Sequence, residues 1–112
     1  MADCIFCSIA DGSAGVDLLA DADGVVAFRD LNPQAPTHVL VVPRAHHPDV
    51  PALAAADPAL LAAMIGTAAR IAGAEADGAF RLVFNTGAAA GQSVFHVHGH
   101  VLAGRPFGWP PG

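Results

Sequence analysis

Basic charge is scarce in this chain. Its five basic residues are all arginine, against ten acidic ones, for a net charge of −5. Binding nucleic acid by neutralising phosphates needs basic patches, so the balance argues against that class of partner. No Gly-Lys-Ser or Gly-Lys-Thr occurs, which removes the P-loop. Long apolar runs are also missing. The most apolar window, roughly residues 52–74, contains Asp57, Pro58 and Arg70 and is rich in alanine rather than leucine. It makes a poor membrane span, and no membrane partner is expected. The first seven residues show no basic segment followed by an apolar stretch, so a targeting segment is not expected either. The expected compartment is the cytoplasm. With only two cysteines, a structural disulfide is not expected there.

What is present suits one compact domain spanning residues 1–112, with 54% hydrophobic residues to build a core. Charged residues make up only 13%, which leaves apolar surface for a second subunit to cover. Residues 4–11 read as a short helical turn, and residues 16–20 as a short strand. Asp23-Gly24 marks a turn before the strand at residues 25–29. Pro33 and Pro36 keep the next connection extended. Residues 38–42 form a β-branched run, a strand covered on both faces, which Pro43 stops. Asp57-Pro58 is a helix start, and an apolar face from Leu60 to Ala72 carries the helix to about Glu75. Residues 80–84 read as another strand, residues 85–92 as a small-residue loop, and residues 93–102 as the last strand. Two strand groups joined by one long helix predict an α+β fold, an antiparallel sheet with the helix on one face.

In that last strand His96, His98 and His100 stand at every second position. Strand side chains alternate between faces, so the three imidazoles share one face, about 6.5–7 Å apart along the chain. Imidazole can be nucleophile, general acid or base, or metal ligand near neutral pH. The loop Asn85-Thr86-Gly87-Ala88-Ala89-Ala90-Gly91-Gln92-Ser93 precedes the row. Its glycines let backbone N–H groups converge on an anion, and Asn85, Gln92 and Ser93 add neutral donors. A small phosphorylated ligand therefore stays open despite the negative charge. Asp30, at the end of a strand, is placed to accept from two ribose hydroxyls, although turn-capping is the commoner role of such an aspartate. His38 opens the next strand. Cys4 and Cys7 form Cys-x-x-Cys, for which metal, redox and simple packing are the choices. A zinc site would need histidines, with His46 or His47 and His96 as candidates.

Together these pieces resemble the histidine triad (HIT) family, whose signature is His-x-His-x-His followed by apolar residues, here His96 to Leu102. The likeness takes in Ile5-Phe6, Phe28-Arg29-Asp30, residues 33–38, Pro43-Arg44-Ala45-His46, Gly91-Gln92-Ser93 and Trp109-Pro110-Pro111-Gly112. It points to the nucleotide-binding, purine nucleoside phosphoramidase branch, and the Trp-Pro-Pro-Gly tail disfavours the dinucleoside-polyphosphate branch. The resemblance implies a HIT-like fold: a five-stranded antiparallel sheet, one long helix and a short N-terminal helix. It also implies a homodimer with a continuous ten-stranded sheet, in which the tail, residues 103–112 with Trp109, reaches the partner. The implied ligands are purine nucleoside monophosphates and phosphoramidates.

By the same resemblance His98 is the nucleophile, Ser93 assists the leaving amine, and His100 and Asn85 contact the phosphate beside Gly91 and Gln92. Asp30 binds ribose, while Ile5, Phe6, Ile9, Phe28 and Leu31 wall the base pocket. His38 belongs to a proton relay behind the triad, and His96 counts among the catalytic histidines. Cys4, Cys7, His46 and His96 match a zinc-holding subset of bacterial members. The zinc would be structural, with no cofactor required for catalysis. Two departures stand out. Gly99 replaces a bulky apolar residue between triad histidines, which removes a packing group from the back face and costs backbone entropy. Phe95 stands where relatives often carry tyrosine, so no hydroxyl is available there.

The expected activity is hydrolysis of the P–N bond of nucleoside 5′-phosphoramidates, including adenylated amines and aminoacyl adenylates, through a nucleotidyl-histidine. The alternatives are a non-catalytic purine-nucleotide-binding regulatory module, a dinucleoside polyphosphate hydrolase, or a structural metal protein with the histidines as ligands.

Overall fold

The computed structural model describes residues 4–112. The chain builds α1 (Ile5–Ala10), β1 (Ala20–Ala22), β2 (Val25–Arg29) and β3 (Thr37–Pro43). Helices α2 (Val50–Ala56) and α3 (Pro58–Glu75) follow, then β4 (Phe80–Val83) and β5 (Gly99–Ala103). The strands form one antiparallel sheet in the order β1-β2-β3-β5-β4. This is the α+β architecture expected, with five strands, one long helix and a short N-terminal helix.

Alternation along the strands divides the core in two. Val25, Ala27, Val39, Val41 and Val101 point toward α2 and α3 and pack with Leu53, Met64, Ala68 and Ile71. Val26, Phe28, Leu40 and Val42 point the other way and pack under α1 against Phe6, Ile9 and Ala10. The central strand β3 is buried along its whole length, as its unbroken valine-rich run requires. Leu53 and Met64 are fully buried, and each such side chain contributes about 1.5–3 kcal/mol through burial.

Three boundaries differ from the sequence reading. First, α2 was not expected, although its start repeats the grammar of α3. Asp49 accepts from the amide of Ala52 (3.0 Å) with Pro51 in the first turn, and Asp57 caps α3 through the amide of Leu60 (3.1 Å). Asp57 thus ends one helix and starts the next, which the continuous alanine pattern concealed. Second, β1 lies at Ala20–Ala22 and shares only Ala20 with the stretch at 16–20.

Third, the last strand begins only at Gly99, so His96 and His98 precede the ladder and His100 alone of the triad lies in a strand. The final β3–β5 pair is Val41 with Gly99. Upstream of it the amide of Val97 bonds instead to the carbonyl of His47 (2.7 Å), in the connection after β3. The alternation of faces nevertheless persists. Val97 and Val101 join the α3-side core. His96 and His98 meet Phe6 of α1, at ring-centroid distances of 6.1 and 4.9 Å.

Candidate active site

Strands β3 and β5 bring His38 and His100 together, the segment just before β5 sets His98 beside them, and neighbouring groups fix which ring nitrogen carries the proton. His98 Nδ1 lies 2.9 Å from the carbonyl oxygen of His96. A carbonyl only accepts, so Nδ1 carries the proton and the neutral ring's lone pair sits on Nε2. His98 keeps 8% of its surface exposed, and Nε2 has no partner among the described residues. Its ring stands 5.1 Å from that of His100, centroid to centroid.

A second chain of bonds runs behind. The amide of Gln34 donates to His38 Nδ1 (3.0 Å), so in the neutral ring the proton of His38 is on Nε2. That Nε2 lies 3.0 Å from His100 Nδ1, which therefore accepts and leaves the His100 proton on Nε2. Asp30 Oδ2 stands 3.4 Å from His38 Nε2 and 3.9 Å from His100 Nδ1. Burial, first, and then His98 and His38 push the His100 pKa below the ordinary imidazole value, with Asp30 opposing. His100 is thus held as a neutral donor beside the Nε2 lone pair of His98.

His96 faces elsewhere. Its Nε2 donates to the carbonyl of Pro43 (2.8 Å), which leaves the lone pair on Nδ1. Nδ1 points at Cys4 Sγ (3.2 Å) and Cys7 Sγ (3.5 Å), and Cys7 Sγ also lies 3.5 Å from His46 Nδ1. The four ligand atoms lie within 4.8 Å of one another. Tetrahedral zinc with bonds of about 2.0–2.3 Å needs donor separations of roughly 3.3–3.8 Å, so the donor set fits. The Pro43 carbonyl behind His96 is the usual kind of partner that orients a ligating imidazole. Burial depresses the His96 pKa, which also keeps the ring neutral. His47 is not in the cluster.

Two clefts adjoin the histidine cluster through Phe6 and Cys4, and of the histidines His46 alone lines either of them. One, of about 290 Å³, is lined by Ile5, Phe6, Ile9, Phe28, Asp30 and Leu31. All six base- and ribose-side expectations meet there. Val16, Arg29 and Leu40, which also line it, were missed. Leu40 could have been found, since it lies two residues along β3 from His38, on the same face. Arg29 is tied to Glu75 at the end of α3 by a two-pronged ion pair (2.9 and 2.6 Å), which holds the chain next to Asp30. The other cleft, of about 400 Å³, includes Ser93, Val94, Phe95, Cys4 and His46 and shares Ile5 with the first. A third depression, of about 570 Å³ between the end of α3 and the tail, contains none of the expected residues.

The loop before the triad differs from expectation. Gln92 is buried, and its side chain is consumed within the protein. Oε1 accepts from the amide of Gly87 (2.9 Å), and Nε2 donates to the carbonyls of Pro48 (2.7 Å) and Val94 (3.1 Å). The amides of Ala90, Gly91 and Gln92 also bond inside the loop. Gln92 therefore shapes the loop and is not a free donor to a ligand. Gly91, at φ +98°, takes a conformation that favours glycine and sits beside Asn85, whose Nδ2 would lie 3.7 Å from an added Cβ. Ser93 is exposed. Trp109 is 84% exposed and lines none of the three clefts, so the chain does not bring it to its own site.

The packing deficit expected at Gly99 is absent. A Cβ there would fall 3.0 Å from both Leu82 Cδ1 and Phe84 Cζ, so neighbouring side chains already occupy the space.

Comparison with known proteins agrees with this geometry. Residues 14–107 match the family model described as the HIT domain. The purine nucleoside phosphoramidase of Escherichia coli K12 is 42% identical over 106 residues, covering 93% of this chain and 89% of that protein. A HIT-like protein of Synechocystis is 44% identical over 111 residues, covering 98% and 97%. The crystal structure of a HIT family hydrolase from Legionella pneumophila superposes with a TM-score of 0.91 at 40% identity, covering 98% of this chain and all of that one. The chain belongs to the HIT family.

Proposed function

We propose that this protein is a hydrolase that cleaves the P–N bond of purine nucleoside 5′-phosphoramidates, with His98 as nucleophile. The observation that carries the reading is the bond from His98 Nδ1–H to the His96 carbonyl, which presents the lone pair on Nε2. The base lies in the cleft of Phe6, Ile9 and Phe28, and Asp30 accepts from the ribose hydroxyls. His98 Nε2 attacks the α-phosphorus, forming an N–P bond as the bond to the leaving nitrogen breaks. An amine leaves poorly unless protonated; Ser93 gives it the hydroxyl proton and recovers one from the attacking water of the second step. His100, through Nε2–H, stabilises the non-bridging oxygens together with Asn85. Water then cleaves the nucleotidyl-histidine, releasing the nucleoside monophosphate and restoring His98.

The relative named purine nucleoside phosphoramidase supports this choice of substrate class. Cys4, Cys7, His46 and His96 would hold zinc, which would tie the N-terminal helix to the triad segment, apart from the chemical step. A homodimer, joined edge to edge through the sheet, puts each Trp109 tail at the other subunit's site. A module that binds purine nucleotides without turnover would use the same cleft, and activity separates the two. With a fluorogenic adenosine phosphoramidate, His98→Ala is expected to lower turnover at least ~10³-fold. Its affinity for AMP by calorimetry should stay within about threefold. Full activity in that variant overturns the assignment.

A further inference from the structure

Gly99 joins the nucleophile His98 to His100, and its back face looks toward the α3-side core. The β4–β5 register pairs Val83 with His100 and Leu82 with Val101. Carried one residue further, it sets Phe84 across from Gly99. The geometry shows a close fit. An added Cβ would meet Phe84 at 3.0 Å (Cζ) and 3.1 Å (Cε1), and Leu82 Cδ1 at 3.0 Å. Gly99 is buried, and Phe84 and Leu82 pack against the cluster of Val97, Val101 and Met64. An aromatic ring laid against a cross-strand glycine supplies the contact that the glycine lacks.

We propose that Phe84 is a positioning residue for the triad, with its ring and Gly99 forming a matched large–small pair. Val97 and Val101 anchor the triad segment on either side, but at its centre the chain has no side chain of its own facing the core. The Phe84 ring is the floor there. It limits how far the His98–His100 backbone can sink toward α3, and so sets the separation of the two imidazoles on the opposite face. Phe84 also precedes Asn85, so the same ring anchors the strand end from which the phosphate-side loop departs. Misplacing a reacting group by about 1 Å costs on the order of 10²-fold in rate, so a floor of this kind matters to turnover.

The catalytic part of this inference rests on the phosphoramidase reading; the pairing itself does not. The test is a double-mutant cycle. Gly99→Val has no room and is expected to lower kcat about 10–100-fold while AMP affinity changes less than about threefold, because the base cleft is on the other face. Phe84→Val alone leaves a void and lowers kcat as well. Phe84→Val with Gly99→Val should recover to within roughly threefold of the parent. Where Gly99→Val fails to fold, the gentler cycle of Gly99→Ala with Phe84→Leu serves. A second readout does not depend on turnover. In protein labelled with ¹⁵N-histidine, the His98 Nδ1–H resonance should shift or broaden in each single variant and return in the double. Additive losses in the double variant, or a Gly99→Val protein that matches the parent, overturn the proposal. If the parent shows no phosphoramidase turnover, the functional reading fails while the resonances still decide the pairing.

Discussion

Ser93 stands exposed in the cleft adjoining the one proposed for the base, and its hydroxyl is the group assigned to the leaving nitrogen. Ser93→Ala should slow hydrolysis of alkylamine phosphoramidates by ~10²–10⁴-fold, the usual range for a lost proton donor. Substrates whose leaving group departs without a proton should lose much less. Equal losses for both would remove Ser93 from that role. His100 yields a prediction in pH. Burial lowers its folded pKa below the ordinary value near 6.5. Below about pH 6.5 the unfolded chain takes up a proton that the folded one resists, so stability declines as pH falls through that value. Urea unfolding at pH 7.5 and pH 5.5 should show this decline, and His100→Gln should make it shallower. An unchanged slope in the variant would show that His100 is not a source. The triad itself was legible as residues, because three histidines at alternate positions have few structural explanations. Their tautomers were not, since these depend on the carbonyl of His96 and the ring of His38.

At the scale of elements, α1 is short, and its six residues could not hold a helix alone. Cys4 caps it by accepting from the Cys7 amide (3.4 Å), and Arg44 reaches back to the carbonyl of Ala10. Bound zinc would add links from Cys4 and Cys7 to His46 and His96, and Ile5, Phe6 and Ile9 would hold their places in the cleft wall. Purified protein is therefore expected to carry about one zinc per chain. Cys7→Ser, or chelation, should lose the metal and lower Tm by about 5–10 °C. Metal-free protein whose Tm does not respond to added zinc would contradict this. The elements legible in sequence were those with strong local grammar. β3 showed itself by its β-branched run, and α3 by Asp57-Pro58 and its apolar stripe. The last strand was overextended because periodicity reports which face a side chain takes, not whether a partner strand runs alongside. The β3–β5 ladder stops at Val41 and Gly99, and just upstream the amide of Val97 turns to the carbonyl of His47 instead of to β3.

At the scale of the whole molecule, β4 forms one edge of the sheet and pairs only with β5 among the described residues. An open edge is a ready template for a second chain. Trp109 and Leu31, at 84% and 102% exposure, present apolar surface far beyond what a buried role would leave. Sedimentation equilibrium at micromolar concentration should therefore read twice the chain mass of 11.3 kDa. A one-chain mass would exclude the shared sheet and the exchanged tail. By itself the sequence determined the α+β class, the long helix, the chemistry-bearing residues and the family they resemble. The class and the helix follow from periods of two and 3.6 residues, which are local properties, and the family likeness rests on particular motifs from Ile5-Phe6 to the Trp-Pro-Pro-Gly tail. Only the tertiary structure decided how each histidine is oriented and which ring nitrogen it presents. His96 is turned to the cysteines by the Pro43 carbonyl 53 residues away, His98 is set to present Nε2, and Gln92 is consumed by the loop it shapes. Phe84 covers Gly99 only because β4 lies beside β5. A proton's place on a ring, or a ring's place over a glycine, depends on neighbours distant in the chain, and folding alone brings them together.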